Sequence, residues 1–419
     1  RGPALDKYLE AGALYALDEL AEQYGYAKLF TEYIPEPIST NIKHKDGHIY
    51  VIPNWFSENG EFNIGAAFNL RTDIYEDMGA PKIETLEDLT NYFRKIRDEN
   101  VVYQGLKVYP FAMEYSEGWI GNLANLWGSQ IYNSLYLDGD KVQFFLRNDN
   151  VRQALRWLNL LYREKLIDPE NFSYNRQQLD EAYAQGKYGV VFSDFWKMWT
   201  PEATLKLNDP RVSFKSIPAP VAVEGVQPYT QGYMTAGSQV AVVTKNAKNP
   251  QKIMEYFNFY MSPEGQILSF YGIEGETWDM VDGKPILRPE AYENLLKDWR
   301  GYSKKTGVRY LDLNQFQRYN WEDHRESPER QANRRVAEAT KFDGTALGLI
   351  KVDATKEEGI VWANIKSTLL ADLTKIILSA DESQVDEAYY ALLNQYEQMG
   401  LEKMEEAFTK DYLERKNIK

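Results

Sequence analysis

At 419 residues, with 43% hydrophobic and 26% charged side chains, the chain has a globular composition and exceeds the roughly 250 to 300 residues at which single cores stop growing, so two lobes are expected. No uncharged apolar run approaches the roughly 18 residues of a membrane span, and a net charge of −14, from 48 Lys and Arg against 62 Asp and Glu, argues against nucleic acid, whose phosphates need a basic face. The lack of cysteine removes disulfides, thiolate nucleophiles and thiolate metal sites, and His44, His48 and His324 stand without HExxH or other paired spacing, as lone surface residues.

Along the chain, Leu14, Leu17 and Leu20 recur at near-helical spacing and predict a helix over 13–21 that stops before Gly25. Residues 48–52 read as a strand ending at Pro53, followed by a loop that carries Trp55 and Phe56. A second strand, 66–70, leads to a helix opened by the capping-box spacing of Thr85 and Asp88, with Leu86, Leu89, Phe93 and Ile96 as its buried stripe. Both periods lapse between Tyr109 and Trp119, which marks a candidate crossover between lobes.

Residues 151–166 restore a helix, with Asn148-Asp-Asn150 as its polar cap and Trp157 as core packing or helix surface. A short helix at 179–184 feeds a strand at 188–192, and strands alternating with helices predict α/β layers. A strand at 214–217 stops at Pro218, and the apolar run 239–244 reads as a strand buried on both faces. Asn249-Pro250 and Ser262-Pro263 then open two helices, a strand and double helix that mark the second crossover. From Thr355 the pattern is helical almost to the end, with capping spacings at Thr355/Glu358 and Ser383/Asp386.

Several stretches together carry a resemblance: Gly12-Ala-Leu-Tyr-Ala-Leu-Asp-Glu-Leu20, Asp46-Gly-His-Ile-Tyr-Val-Ile-Pro53, Phe68-Asn-Leu-Arg-Thr-Asp73, Lys165-Leu-Ile-Asp168, Asn249-Pro-Gln-Lys-Ile-Met-Glu-Tyr-Phe257 and Tyr271-Gly-Ile-Glu-Gly275. In order and spacing the chain resembles the extracellular solute-binding proteins of ABC sugar importers, in particular the long lipoprotein type that includes alginate-oligosaccharide-binding proteins. The resemblance implies an α/β, two-lobed periplasmic-binding-protein-like (type II) fold with discontinuous lobes and a hinge. Lobe 1 is expected over 1–111 and 237–309, and lobe 2 over 112–236 and 310–419. It also implies a strand, helix and strand of lobe 1 ahead of Gly12, which are missing from this sequence, as are a leader and its lipid-modified cysteine.

The function implied is that of an extracytoplasmic, cell-surface or periplasmic, non-enzymatic subunit. It would hold an oligosaccharide in an interlobe cleft by hinge closure and present it, as a monomer, to a membrane permease. Many relatives carry a calcium loop before the first crossover; residues 97–107 lack its alternating oxygen ligands, so no calcium and no other cofactor is expected.

A sugar offers an apolar C–H face and a rim of hydroxyls, so its site needs aromatic plates beside amides and carboxylates. Ligands of open α/β sheets sit beyond the carboxyl ends of strands. The 14% aromatic content places candidates there: Trp55; Tyr115 and Trp119; Asp194, Phe195 and Trp196; Gln231 and Tyr233; and Glu274 and Trp278. The resemblance places an aromatic of the site near Phe195, Trp196 and Trp199, and adds Phe316, Gln317 and Tyr319. Arg318, Arg325 and Lys197 are candidate partners for a uronic-acid carboxylate but read better as solvated surface charge. The alternative function is a glycosidase acting through paired carboxylates, against which stand the absence of GxSxG, P-loop and dinucleotide motifs.

Overall fold

The computed structural model describes residues 3–57, 65–235, 237, 239–308, 316, 319 and 327–417. The chain forms two compact units, a smaller one of Arg1–Phe62, Met234–Ser327 and Glu414–Lys419 and a larger one of Asn63–Tyr233 and Pro328–Leu413. Both are discontinuous in sequence, as expected, but the boundaries differ. The chain enters the larger unit after residue 62, not at 111, leaves it after 233, close to the expected 236, re-enters it after 327, not 309, and returns its last six residues to the smaller unit.

The first difference has a direct cause in the larger unit's sheet. Its strands are β1 (Ala66–Arg71), β2 (Tyr109–Met113), β3 (Tyr188–Asp194) and β4 (Phe214–Ile217), in the order β2-β3-β1-β4. β1 lies between β3 and β4, antiparallel to both, so a strand expected in lobe 1 is instead the interior of the other unit. The Tyr109–Trp119 stretch is no crossover: β2 pairs in parallel with β3 and leads through the Ser116 cap into the helix Glu117–Ala124. Every residue of β1 and β3 is buried, so neither strand alternates in polarity, as befits a sheet covered on both faces. The fully buried Asn69 donates its amide to the carbonyls of Ala67, Val191 and Ser193 at 3.0, 3.2 and 3.1 Å and accepts from Ser216 Oγ at 2.7 Å, fastening three strands.

The helix Leu86–Asp98 has the Thr85–Asp88 capping box and buries Leu86, Leu89, Phe93 and Ile96. The helix Asp149–Arg163 is capped by Asn148, and its buried Trp157 donates Nε1–H to Thr90 Oγ1 at 3.0 Å. Three helices, Glu357–Ile377, Glu382–Gln398 and Leu401–Lys416, the last of them as far as Leu413, complete the unit's described C-terminal part. Their caps differ from those expected. Thr355 bonds Asp353, leaving the first of these helices without a side-chain cap. Asp381, not Ser383, caps the second, and Asp386 binds Arg152 and Arg156 at 3.0 and 2.7 Å. A carboxylate with two guanidinium partners is better satisfied there than at a helix start.

In the smaller unit the first expected helix runs over Leu17–Gln23, and the expected strands at 48–52 and 239–244 shrink to an antiparallel pair, Ile52–Pro53 with Val240–Ala241. The backbone around Ile49 is engaged elsewhere: its N–H donates to Asp18 Oδ1 at 3.0 Å and its carbonyl accepts from Leu17 N at 2.6 Å, so it closes the helix start and not a ladder. Helices Pro250–Met261 and Pro263–Tyr271 begin under Asn249 and Ser262 caps, as their sequence predicts. Their Met254, Phe257 and Met261 pack on Leu17, Leu20, Ile38 and Ile42. Among the described residues no helix is long and apolar enough to cross a membrane.

His44 and His48 are about 40% exposed, yet each lies against carboxylates: His44 Nδ1 is 3.2 Å from Asp46, and His48 is 3.1 Å from Asp18 and 3.6 Å from Glu19. His324 lies outside the described residues. The hydrogen bond to Asp18, with the charge of that carboxylate, raises the His48 pKa above its ordinary 6.5. Its contribution to stability is therefore fully present below the unfolded value and is lost as pH rises through the higher folded one. In an NMR titration His48 should titrate above 6.5, and Asp18→Asn should bring it back; an unmoved midpoint in the variant would refute the pairing.

Candidate ligand-binding site

Because β2 and β3 are parallel, their carboxyl ends emerge at one edge of the sheet, the position at which α/β sheets hold ligands. Glu114 directly follows β2, and Asp194 is the last residue of β3. The chain then turns through the short helical segment Phe195–Met198, which brings Lys197 back over both carboxylates. Its ammonium contacts Glu114 Oε1 and lies 3.0 Å from Asp194 Oδ2. Glu114 Oε1 also accepts from Ser193 Oγ at 2.6 Å and Arg176 Nη1 at 2.7 Å.

Two indoles flank this ion cluster: Lys197 Nζ lies 5.5 Å from the ring centroid of Trp119 and 5.5 Å from that of Trp196, within cation–π range. Trp119 is fixed edge-on against Phe192 of β3, whereas Trp196 keeps 38% of its surface exposed. Burial raises the Glu114 carboxyl, but the bonds from Lys197 and Ser193, with the Lys197 and Arg176 charges, more than offset it and hold it below its ordinary range. Asp194 goes the other way: burial dominates and raises it, although Lys197 and the neighbouring Gln231 oppose the shift. Asp194 Oδ1 and Gln231 Oε1 are nonetheless both buried without a hydrogen-bond partner. Two acceptors lacking donors beside an exposed indole suit a molecule with an apolar face and hydroxyl hydrogens.

The larger unit thus brings Trp119, Asp194, Trp196 and Gln231 into one cluster. Phe195, from the same turn, is 1% exposed and packs on Ala67 and Ala337. Tyr115 bonds Thr374 Oγ1 at 2.8 Å and meets Phe172 edge-on. Tyr233 shares the strand Gln231–Tyr233 with Gln231, paired in parallel with Lys341–Asp343, and has Lys341 Nζ 5.4 Å from its ring centroid.

The remaining candidates belong to the smaller unit. Trp55 is 41% exposed and held at φ +30°, a conformation rare outside glycine. Gly237 lies against this loop so closely that a Cβ there would fall 1.9 Å from the Asn54 carbonyl oxygen. Phe316 is buried, stacked on Phe56 at 4.7 Å, with Tyr319 edge-on to it. Trp278 is buried and donates its indole N–H to the Gly272 carbonyl at 2.9 Å, while Glu274 is exposed. Gln317, Arg318 and Arg325 lie outside the described residues.

Sequence reasoning missed Glu114 and Arg176 and placed Lys197 at the surface; Lys197 is 12% exposed and held between two carboxylates. The available signal was position: Glu114 follows one strand end and Lys197 follows the other by three residues.

Two discontinuous units, one built on a β2-β3-β1-β4 sheet, define a protein of the two-lobed α/β class. The chain belongs to the bacterial extracellular solute-binding protein family, whose model matches residues 2–267. Its fold is similar to that of the alginate-binding protein AlgQ2 (TM-score 0.70, 20% identity, 97% of this chain and 83% of that one). It is also similar to an HMO-binding, ABC-transporter-associated solute-binding protein of Bifidobacterium longum infantis (0.70, 17%, 96% and 84%). A third similar structure is the Streptococcus pneumoniae ABC-transporter substrate-binding protein FusA in complex with kestose (0.71, 15%, 99% and 86%). A Niallia circulans protein described only by its position 5′ of butB is 28% identical over 165 residues, 38% of this chain and 60% of that relative's length.

Proposed function

We propose that this protein is the extracytoplasmic substrate-binding subunit of an ABC importer and that it holds an oligosaccharide for a membrane permease. The observation that carries the reading is the larger unit's cluster, in which the exposed Trp196 lies beside the partnerless acceptors of Asp194 and Gln231. Trp196 offers a plate for a sugar's C–H face, and the two oxygens take its hydroxyl hydrogens. Trp119, whose ring centroid is also 5.5 Å from Lys197 Nζ, adds a second indole beside the same ion cluster, and Tyr233, two residues beyond Gln231 on the same strand, supplies a further contact. Family membership and the fold likenesses support transport over catalysis.

One feature favours a glycosidase: two carboxylates, Glu114 and Asp194, whose pKa values are moved in opposite directions, the pattern of an acid–base pair. Lys197 opposes it. An ammonium in contact with both carboxylates occupies the place where a glycosidic oxygen and its water would have to sit.

Titration with neutral and acidic oligosaccharides, followed by tryptophan fluorescence and by chromatography of each mixture, separates the two. A saturable change with intact ligand is expected, and Trp196→Ala should weaken it roughly tenfold, the equivalent of about 1.4 kcal/mol. Cleaved product would sink the transport reading, and an unaltered affinity in the variant would remove Trp196 from the site.

A further inference from the structure

We infer that the site selects neutral sugars over anionic ones, an inference that rests on the carbohydrate reading above and adds the charge of the ligand to it. The charge such a site accepts follows from which of its donors and acceptors are already paired. Among the described residues around Trp119 and Trp196 two cations are present, while Lys341, on the strand paired with Gln231, lies 5.4 Å from the Tyr233 ring centroid. Lys197 is shared by Glu114 and Asp194, with an indole on either side. Arg176 is shared by Glu114, at 2.7 Å, and Asp180, at 2.7 Å. Two positive charges thus face three carboxylates, and neither is left for a ligand's own carboxylate.

What remains unfilled is all of the opposite kind. Asp194, 7% exposed, has Oδ2 on Lys197 and Oδ1 without a donor, and Gln231 Oε1 also lacks one. A buried acceptor without a donor is costly, and a ligand relieves that cost only by bringing O–H or N–H groups. A pair of neighbouring sugar hydroxyls does so. A uronate in the same place would set its charge against Asp194 in a poorly solvated setting, where like-charge contacts are strongly unfavourable. The same groups explain why Lys197, which a sequence reading offers to a uronic acid, does not serve one: withdrawing it would leave Glu114 and Asp194 facing each other uncompensated.

The test uses the whole chain on a glycan array that carries neutral, uronate-containing, sialylated and amino-sugar glycans. Calorimetry follows, on the strongest neutral glycan and its uronate counterpart at low and high salt. Neutral glycans should dominate the array, bind at least about tenfold more tightly than the uronate form and show little salt dependence, since no ligand charge is being paired. Asp194→Asn and, without any change of charge, Gln231→Leu should each lower neutral-glycan affinity, with circular dichroism and thermal melting confirming the fold.

Preference for uronate or sialylated glycans would overturn the charge assignment and leave the carbohydrate reading standing. Preference for amino sugars would overturn it as well, by assigning the acceptors to an ammonium. Unchanged affinity in both folded variants would remove Asp194 and Gln231 from the site and the inference with them. A silent array would overturn the carbohydrate reading itself.

Discussion

Asp73→Ala is expected to destabilise the larger unit by about 3–5 kcal/mol, the range found when a buried charge loses its partner. Arg71, at the end of β1, is 1% exposed, and Asp73 just beyond it is 4% exposed. The guanidinium bonds both carboxylate oxygens of Asp73, one at 3.1 Å through Nε, donates Nη1–H to the Gly186 carbonyl at 2.7 Å and lies 4.3 Å from the Tyr103 ring centroid. Gly186 is at φ +73°, and a Cβ there would meet Tyr103 at 2.7 Å and Arg71 at 2.9 Å, so the arginine's pocket has little room to relax. The alanine leaves that cation facing one neutral carbonyl. A loss of this size lowers the melting temperature of a unit this large by roughly 10 °C. The double variant Arg71→Met/Asp73→Ala should recover part of it, since removing both charges removes the desolvation cost as well. A single variant that melts like wild type, or a double one worse than the sum of its parts, would refute the account.

Legibility in the sequence followed the strength of local chemistry. Capping at Thr85, Asn148, Asn249 and Ser262 was readable because each keeps its acceptor on the helix start, even at Asn148, where Ser129 shares it. At 355–358 and 383–386 the same signal misled, because Asp353 takes Thr355 and two arginines 230 or more residues away take Asp386. β3 was legible as an unbroken apolar run, but its placement next to β1 was not: pairing partners 122 residues apart, such as Asn69 and Val191, leave no local trace. In the candidate cluster, Trp119 and Trp196 were legible as aromatics that follow strand ends. The ions that position them were not, since charged residues default to solvent and only the fold reveals a Lys held by two carboxylates.

Glu114→Ala is the variant expected to do most damage to the candidate site. Glu114 Oε1 accepts from three donors, Lys197, Arg176 and Ser193, and the residue is 9% exposed. Its loss leaves a largely buried ammonium with Asp194 alone and removes the acceptor of Ser193, at a cost of about 3 kcal/mol. Lys197 then swings toward Asp194 Oδ1, filling the acceptor assigned to the ligand and carrying Trp196 off its present face. Oligosaccharide affinity should fall by roughly 100-fold, whereas Trp196→Ala, which spares the ion cluster, should cost only about tenfold. Glu114→Gln separates charge from hydrogen bonding, since its amide oxygen still accepts from Lys197, and it should fall between the two. The sign with pH is fixed by Glu114 being held below its ordinary 4.5: its contribution to stability is fully present above that value and is lost as pH falls through the lower folded one. Acid unfolding of wild type should therefore be steeper in this range than that of Glu114→Gln. Equal acid profiles, or ligand affinity unchanged in a folded Glu114→Ala protein, would show that the cluster neither stabilises the strand ends nor shapes the site.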